Sequence, residues 1–224
     1  MTETKHLFTY FNEVMKNEWN HPAFTDYGEN VNYTYGEVAT QIEKLNLVFK
    51  ACGVKQGDKI AFCGANSSHW GISFLSVLAY RAVAVSILPD FTGPDVEKLV
   101  NHSEAKILLA GPSVAAKINP ANMPGIVAVI CTKDFSVKYA ASDVFANAIA
   151  NADKLFAEAH PAGFTAADVC YHTDSLDELA LINYTSGTTS SPKGVMLTYR
   201  ALSSNVTFGV EHIPNGPEDN VVSM

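Results

Sequence analysis

The sequence predicts an α/β protein with a largely parallel sheet flanked by helices. Short apolar runs recur at Lys59–Cys63, Ala82–Leu88, Ala105–Ala110 and Gly125–Cys131, each the length of a buried strand. Helical patterns lie between them, and strands alternating with helices at this spacing imply right-handed βαβ units with helices on both faces. The composition agrees: 47% of the 224 residues are hydrophobic and 17% charged, enough for a core and too little bias for a disordered tail.

The elements follow in order. Thr34-Tyr-Gly-Glu37 is a capping-box pattern, and Val38, Ile42, Leu45 and Phe49 follow at helical spacing. Gly53 offers a left-handed stop, and Gln56-Gly57-Asp58 a turn into the first strand. His69–Tyr80 reads as a buried helix and Ala82–Leu88 as the next strand. Pro94 suits the first turn of a helix over Gly93–His102, with Val96, Leu99 and Val100 on its apolar side. The strands at 105–110 and 125–131 come next. Ser142–Ala159, rich in alanine, reads as one surface helix, and His160–Leu176 as a connecting loop. An apolar strand ends near Tyr184, and the apolar run after Gly194 leads into a helix.

Several function classes are excluded early. With 15 Lys+Arg against 23 Asp+Glu the net charge is −8, so the basic stripe of a phosphate-backbone binder is missing and no nucleic-acid partner is expected. Cys52, Cys63, Cys131 and Cys170 form no C-x-x-C pair, and the seven histidines no H-x₃₋₅-H pair. Zinc frameworks and redox dithiols need such spacing, so the cysteines read as buried thiols in a reducing compartment. The first residues hold no apolar leader, and Arg81 interrupts the most apolar stretch, Gly71–Leu88. The expectation is a cytoplasmic protein.

Chemistry concentrates in Tyr184-Thr-Ser-Gly-Thr-Thr-Ser-Ser-Pro-Lys-Gly-Val195. Gly187 and its small neighbours let backbone N–H groups approach phosphate oxygens. The hydroxyls of Thr185, Ser186, Thr188, Thr189, Ser190 and Ser191 can donate to the same oxygens, and Lys193 adds a point charge. From composition alone, a polar Ser/Thr surface loop remains the rival reading. A Walker A loop needs Lys followed by Ser or Thr, whereas Gly194 and Val195 follow Lys193. Ser190-Ser-Pro-Lys193 matches S-x-x-K, but its Lys-Thr-Gly and Ser-Asp-Asn partners are missing. Neither G-x-S-x-G nor G-x-G-x-x-G occurs.

The ordered run 184–195 resembles the phosphate-loop signature of the adenylate-forming superfamily, which includes acyl-CoA synthetases, luciferases and peptide-synthetase adenylation domains. Asp177-Glu-Leu-Ala180 and Met196–Leu202 resemble its lead-in and the following helix start, and Tyr33–Val38 with Gly53–Ile60 is similar to the family's early helix, turn and strand. Ala82–Asp90 and Asn101–Ile107 look most like the long-chain fatty acyl-CoA synthetase branch.

The resemblance implies an acid–thiol ligase that converts a carboxylate and ATP to acyl-adenylate and pyrophosphate, then passes the acyl group to CoA. Thr185, Ser186, Gly187, Thr188, Thr189 and Lys193 are the implied ATP phosphate contacts, Lys193 the implied catalytic residue, and Thr185 the implied Mg²⁺ neighbour. The implied partners are a small carboxylic acid, ATP and CoA, with peripheral membrane contact through fatty-acid supply and homo-oligomer formation as further expectations. Two positions depart from the family pattern: Ser190 stands where glycine is usual, and Tyr199 where histidine is usual. A non-catalytic binding or assembly protein on this scaffold, and a peptide-synthetase-like adenylation domain, are the alternatives.

The expected organisation is an α/β subdomain at 1–180, followed by strand, phosphate loop and helix at 181–224. The sequence 218–224 looks like the lead-in to the family's next motif. The adenine-contacting, ribose-binding and C-terminal lysine segments, and the second metal-binding acid, are expected beyond it. An N-terminal portion of an acyl-CoA synthetase, inactive by itself, is therefore the reading, with apolar surface exposed where further parts would pack.

Overall fold

A computed structural model describes residues 4–27, 29–185, 193–214, 216 and 219–222. Helix α1 (Leu7–Asn17) begins at His6, whose Nδ1 accepts the Phe8 N–H at 3.2 Å. Strands β1 (Pro22–Asp26) and β2 (Val31–Thr34) form a separate antiparallel hairpin. Helix α2 (Tyr35–Ala51) starts at the expected capping box: Glu37 N–H reaches Thr34 Oγ1 at 3.2 Å, and Thr34 N–H reaches Glu37 Oε2 at 2.8 Å. Its Val38, Ile42, Leu45 and Phe49 are buried, and Gly53 closes it at φ +74°.

The main body alternates strand and helix. In order come β3 (Lys59–Cys63), α3 (Ser68–Ala79), β4 (Val83–Ser86), α4 (Gly93–Ser103), β5 (Ile107–Ala110), the single turn α5 (Pro112–Ala115), β6 (Ala128–Cys131) and β7 (Val137–Ala140). Helices α6 (Asp143–Ala150) and α7 (Ala152–Ala159) follow, then β8 (Leu179–Thr185), β9 (Lys193–Thr198) and α8 (Tyr199–His212). The seven-stranded sheet has the order β7-β6-β5-β3-β4-β8-β9, parallel within β6-β5-β3-β4-β8 and antiparallel at both edges. The chain steps from β3 to β4 on one side, then crosses to β5 on the other. A ligand crevice in such a sheet lies outside the carboxyl ends of the strands.

Alternate residues feed two cores. Ile60, Phe62, Ile107 and Leu109 pack with α1, α2 and α3, whereas Ala61, Cys63, Leu108 and Ala110 pack with α4 and α5. Burial on both faces is why these strands read as unbroken apolar runs rather than alternating ones.

Cys170 is exposed, against the expectation that all four cysteines are buried, and two expectations of secondary structure are also corrected. Residues 142–159 form two helices, broken at Asn151, where φ is −113° and the side-chain amide donates to Asn147 O at 2.8 Å. Asn151 thereby closes α6 and begins α7, and Ala148 and Ile149 are buried rather than on the surface. The run from Lys193 to Thr198 is a strand, with α8 starting only at Tyr199 behind the Thr198 cap. Val195 and Met196 are both exposed on this edge strand, so the alternation that would reveal it is weak. The sequence reading also omitted α1, the β1–β2 hairpin and β7.

Candidate functional site

Strand β8 runs parallel to β4, pairing Leu181 with Ala84, Ile182 with Val85 and Asn183 with Ser86. Its carboxyl end therefore emerges beside the segment that follows β4. Strand β9 returns antiparallel, and the terminal pairs are Tyr184 with Gly194 and Thr185 with Lys193. Directly paired residues share one face, with Cβ atoms about 5 Å apart. Thr185 and Lys193 thus stand side by side at the carboxyl edge of the sheet, both exposed. Neither side chain has a hydrogen bond or ion pair within the described residues. The other candidates, Ser186, Gly187, Thr188 and Thr189, lie outside the described residues, as do Ser190 and Pro192.

The neighbouring segment after β4 is tightly fastened. Lys117 Nζ donates to Pro89 O at 2.8 Å and to Phe91 O at 2.5 Å. Buried Glu97 accepts from Asn119 N–H at 2.6 Å and Asn122 Nδ2 at 2.7 Å, tying the following turn to α4. Cys63 Sγ lies 3.4 Å from Leu88 O, and burial pushes the thiol pKa up to about 11, so it is no nucleophile at neutral pH. One further contact reaches the hairpin itself: His102 Nδ1 on α4 and the hydroxyl of Tyr184 are 2.5 Å apart. Sequence reasoning missed this partner, because 82 residues separate the two and no spacing rule connects them.

The amino edge of the same strands is richer in ionisable groups, and they are paired. The Arg81 guanidinium donates to both Glu178 carboxylate oxygens and lies 3.2 Å from Asp174. Arg200 grips Asp177 through Nε and a terminal nitrogen, both at 2.9 Å. Behind them runs a buried chain. Since His6 Nδ1 accepts from Phe8, its Nε2 carries the proton and donates to Ser175 Oγ at 3.1 Å. The hydroxyl donates to His172 Nδ1 at 2.8 Å, leaving His172 Nε2–H for Leu78 O at 2.9 Å. Burial lowers both imidazole pKa values, that of His6 to about 4. Tyr199 is buried in this cluster and donates to Leu78 O at 2.8 Å. The six-residue β9 strand, about 17–20 Å long, separates it from Lys193.

The described donor set suits a polyphosphate. The Lys193 ammonium and the Thr185 hydroxyl are paired neighbours, and among the described residues no carboxylate is bonded to either. For Mg²⁺ the described residues supply less: no group of three or more His, Cys, Asp or Glu could hold a metal among them, so Thr185 would be one oxygen ligand alongside phosphate and water. No helix among the described residues is long and apolar enough to cross a membrane. Val195, Met196, Phe208, Val210 and Ile213 give β9 and α8 exposed apolar surface.

A doubly wound α/β sheet with an exposed lysine and threonine paired at its carboxyl edge defines a class of ligand-binding domain. Within that class the chain belongs to the family of AMP-binding enzymes, whose profile matches residues 11–224. 4-Coumarate–CoA ligases, a fatty acyl-CoA synthetase and a surfactin synthase subunit are among the curated relatives it matches. The chain is 29% identical to 4-coumarate–CoA ligase-like 9 of Oryza sativa subsp. japonica, covering 86% of this chain and 32% of that protein. It is 27% identical to fatty acyl-CoA synthetase A of Dictyostelium discoideum, over 83% and 28% respectively. Its fold matches the anthranilate-CoA ligase AuaEII, solved with anthranoyl-AMP, at a TM-score of 0.67 and 18% identity, covering 89% of this chain and 36% of that one. The chain spans about a third of the length of the curated relatives it matches.

Proposed function

We propose that the chain is the N-terminal part of an ATP-dependent, AMP-forming acid–thiol ligase acting on fatty acids. The observation that carries this is the pairing of Thr185 with Lys193 at the mouth of the 184–195 segment. In the proposed reaction a carboxylate oxygen attacks the α-phosphorus of ATP, the bond to the bridging oxygen breaks, and pyrophosphate leaves. The thiol sulfur of CoA then attacks the acyl carbon, and AMP departs. Thr185, Ser186, Gly187, Thr188, Thr189 and Lys193 hold the β- and γ-phosphates, and the Lys193 ammonium opposes the charge that builds on the departing pyrophosphate. Bound Mg²⁺ would neutralise part of the same charge, with Thr185 as its neighbour.

In the full-length protein, Lys193→Ala is expected to lower carboxylate-dependent ATP–pyrophosphate exchange by about a hundredfold, the scale of removing one preorganised donor. Transfer from preformed acyl-adenylate to CoA should be spared. Equal loss in both half-reactions would contradict the assigned role, and strong exchange by the 224 residues alone would sink the N-terminal assignment. The similarity to 4-coumarate–CoA ligases favours aryl acids as a second reading. A panel of fatty, hydroxycinnamic and amino acids in the exchange assay separates these and the peptide-synthetase alternative.

A further inference from the structure

Tyr184 is the last buried residue before the candidate site and is held from two sides. It is the residue paired with Gly194, whose own position leaves no room for a side chain. A Cβ at Gly194 would come 2.8 Å from Ile182 Cγ2 and 3.3 Å from Tyr184 Cε1. The Tyr184 ring therefore lies over the bare backbone of β9, one residue from Lys193. The ring belongs to the buried core that also holds Val96, Leu99 and Val100 of α4. Its hydroxyl meets His102 Nδ1 at 2.5 Å, and the two rings stand edge to face with centroids 5.8 Å apart.

We propose that His102 is a positioning residue for phosphate binding: it fixes the Tyr184 ring against Gly194, and so sets where Thr185 and Lys193 leave the sheet. This rests on the function proposed above. Burial raises the Tyr184 pKa, so the phenol stays neutral, and it donates to Nδ1 or accepts from it according to the His102 tautomer. Thr185 and Lys193 follow and precede the anchored pair directly, with no intervening residue to absorb a change in ring tilt. Helix α4 is in turn fastened through Glu97 to Asn119 and Asn122, which makes it a rigid mount for the imidazole. A donor pair displaced by a fraction of an ångström loses binding to a fixed anion, because charge-assisted hydrogen bonds depend steeply on distance and angle.

The test uses ATP–pyrophosphate exchange by the full-length protein, reading KM for ATP separately from kcat. Tyr184→Phe retains an aromatic ring beside Gly194 but removes the hydroxyl through which His102 fixes its tilt. It is expected to raise KM for ATP about three- to tenfold, the range of one net hydrogen bond. His102→Leu, an exposed substitution on α4, should match it. His102→Asn places an amide oxygen where Nδ1 stood and should restore most of the wild-type KM. Overturning results are an unchanged KM in both Tyr184→Phe and His102→Leu, or a His102→Asn variant no better than His102→Leu. If those occur while Lys193→Ala still removes exchange, the positioning role fails and the function stands. An inactive wild type, or exchange indifferent to Lys193→Ala, brings down both.

Discussion

The two ends of strands β4, β8 and β9 differ in what their charges are free to do. At the amino edge, Arg81 is paired with Asp174 and Glu178 and Arg200 with Asp177, and the His6–Ser175–His172 chain behind them is satisfied from end to end. A cavity of about 500 Å³ lies there, lined by Thr173–Glu178 and Arg200, yet its charged walls are already spoken for. At the carboxyl edge the described groups are fewer, and the side chains of Thr185 and Lys193 have no partner among the described residues. A density of ionisable residues does not locate a site. Donors left without internal partners do, because binding to them gives up no existing contact.

Opposite responses at the two edges would sharpen this contrast. Lys193→Ala should abolish most adenylation while leaving thermal stability near wild type, since the side chain is exposed and bonded to no described residue. Ser175→Ala should do the reverse. It strands His6 Nε2–H and His172 Nδ1 inside the core, at a cost of about 2–4 kcal/mol, with KM for ATP unchanged. Exchange kinetics and melting curves of both variants check the pair. A Ser175→Ala protein that melts normally but binds ATP poorly would break the division between the edges.

A middle-sized effect is expected from pH. The unfolded chain protonates His6 below its ordinary pKa of 6.5, whereas folded His6 resists until about 4. The unfolded state therefore binds more protons in that interval, and stability present above pH 6.5 drains away as pH falls towards 4. The pKa of His172 is lowered too, chiefly by burial, so it contributes with the same sign. The cause at His6 is burial first, then the charge His172 would carry, with Arg81 adding to it and Asp174 and Glu178 opposing. His6→Asn retains a cap acceptor for Phe8 N–H without a titrating ring. Its melting temperature should fall less steeply between pH 6.5 and 4 than that of wild type; an identical slope would remove His6 from the account.

The fold was legible where burial on both faces writes long apolar runs, as in β3 to β6, and where local chemistry is explicit, as in Thr34–Glu37 and Gly53. It was not legible where partners are distant in sequence. Strand β9 exists because β8 pairs with it, and its exposed Val195 and Met196 hide the period. The break at Asn151 depends on one side-chain bond that alanine-rich neighbours conceal. The candidate site was legible as a string of donors, but not as a geometry: the hairpin that joins Thr185 to Lys193, and the support from His102, come from tertiary contacts. Tyr199 shows the same limit. Its place in the motif suggested a missing imidazole, whereas it is a core residue at the far edge of the sheet.

The smallest effect is expected at the best-looking ion pair. Arg200 and Asp177 meet through two parallel hydrogen bonds at 2.9 Å, the geometry that gives such pairs their directional strength. Yet their side chains are 51% and 82% exposed, so water solvates both charges when they part. The attraction gained is offset by the entropy lost in holding two long side chains together and by salt screening. Arg200→Gln combined with Asp177→Asn should leave the melting temperature within error of wild type at physiological ionic strength. A clear drop that persists in high salt would mean that this pair acts with the buried chain beneath it. The amino edge would then be one coupled network, and the loss in Ser175→Ala could no longer be assigned to buried hydrogen bonds alone.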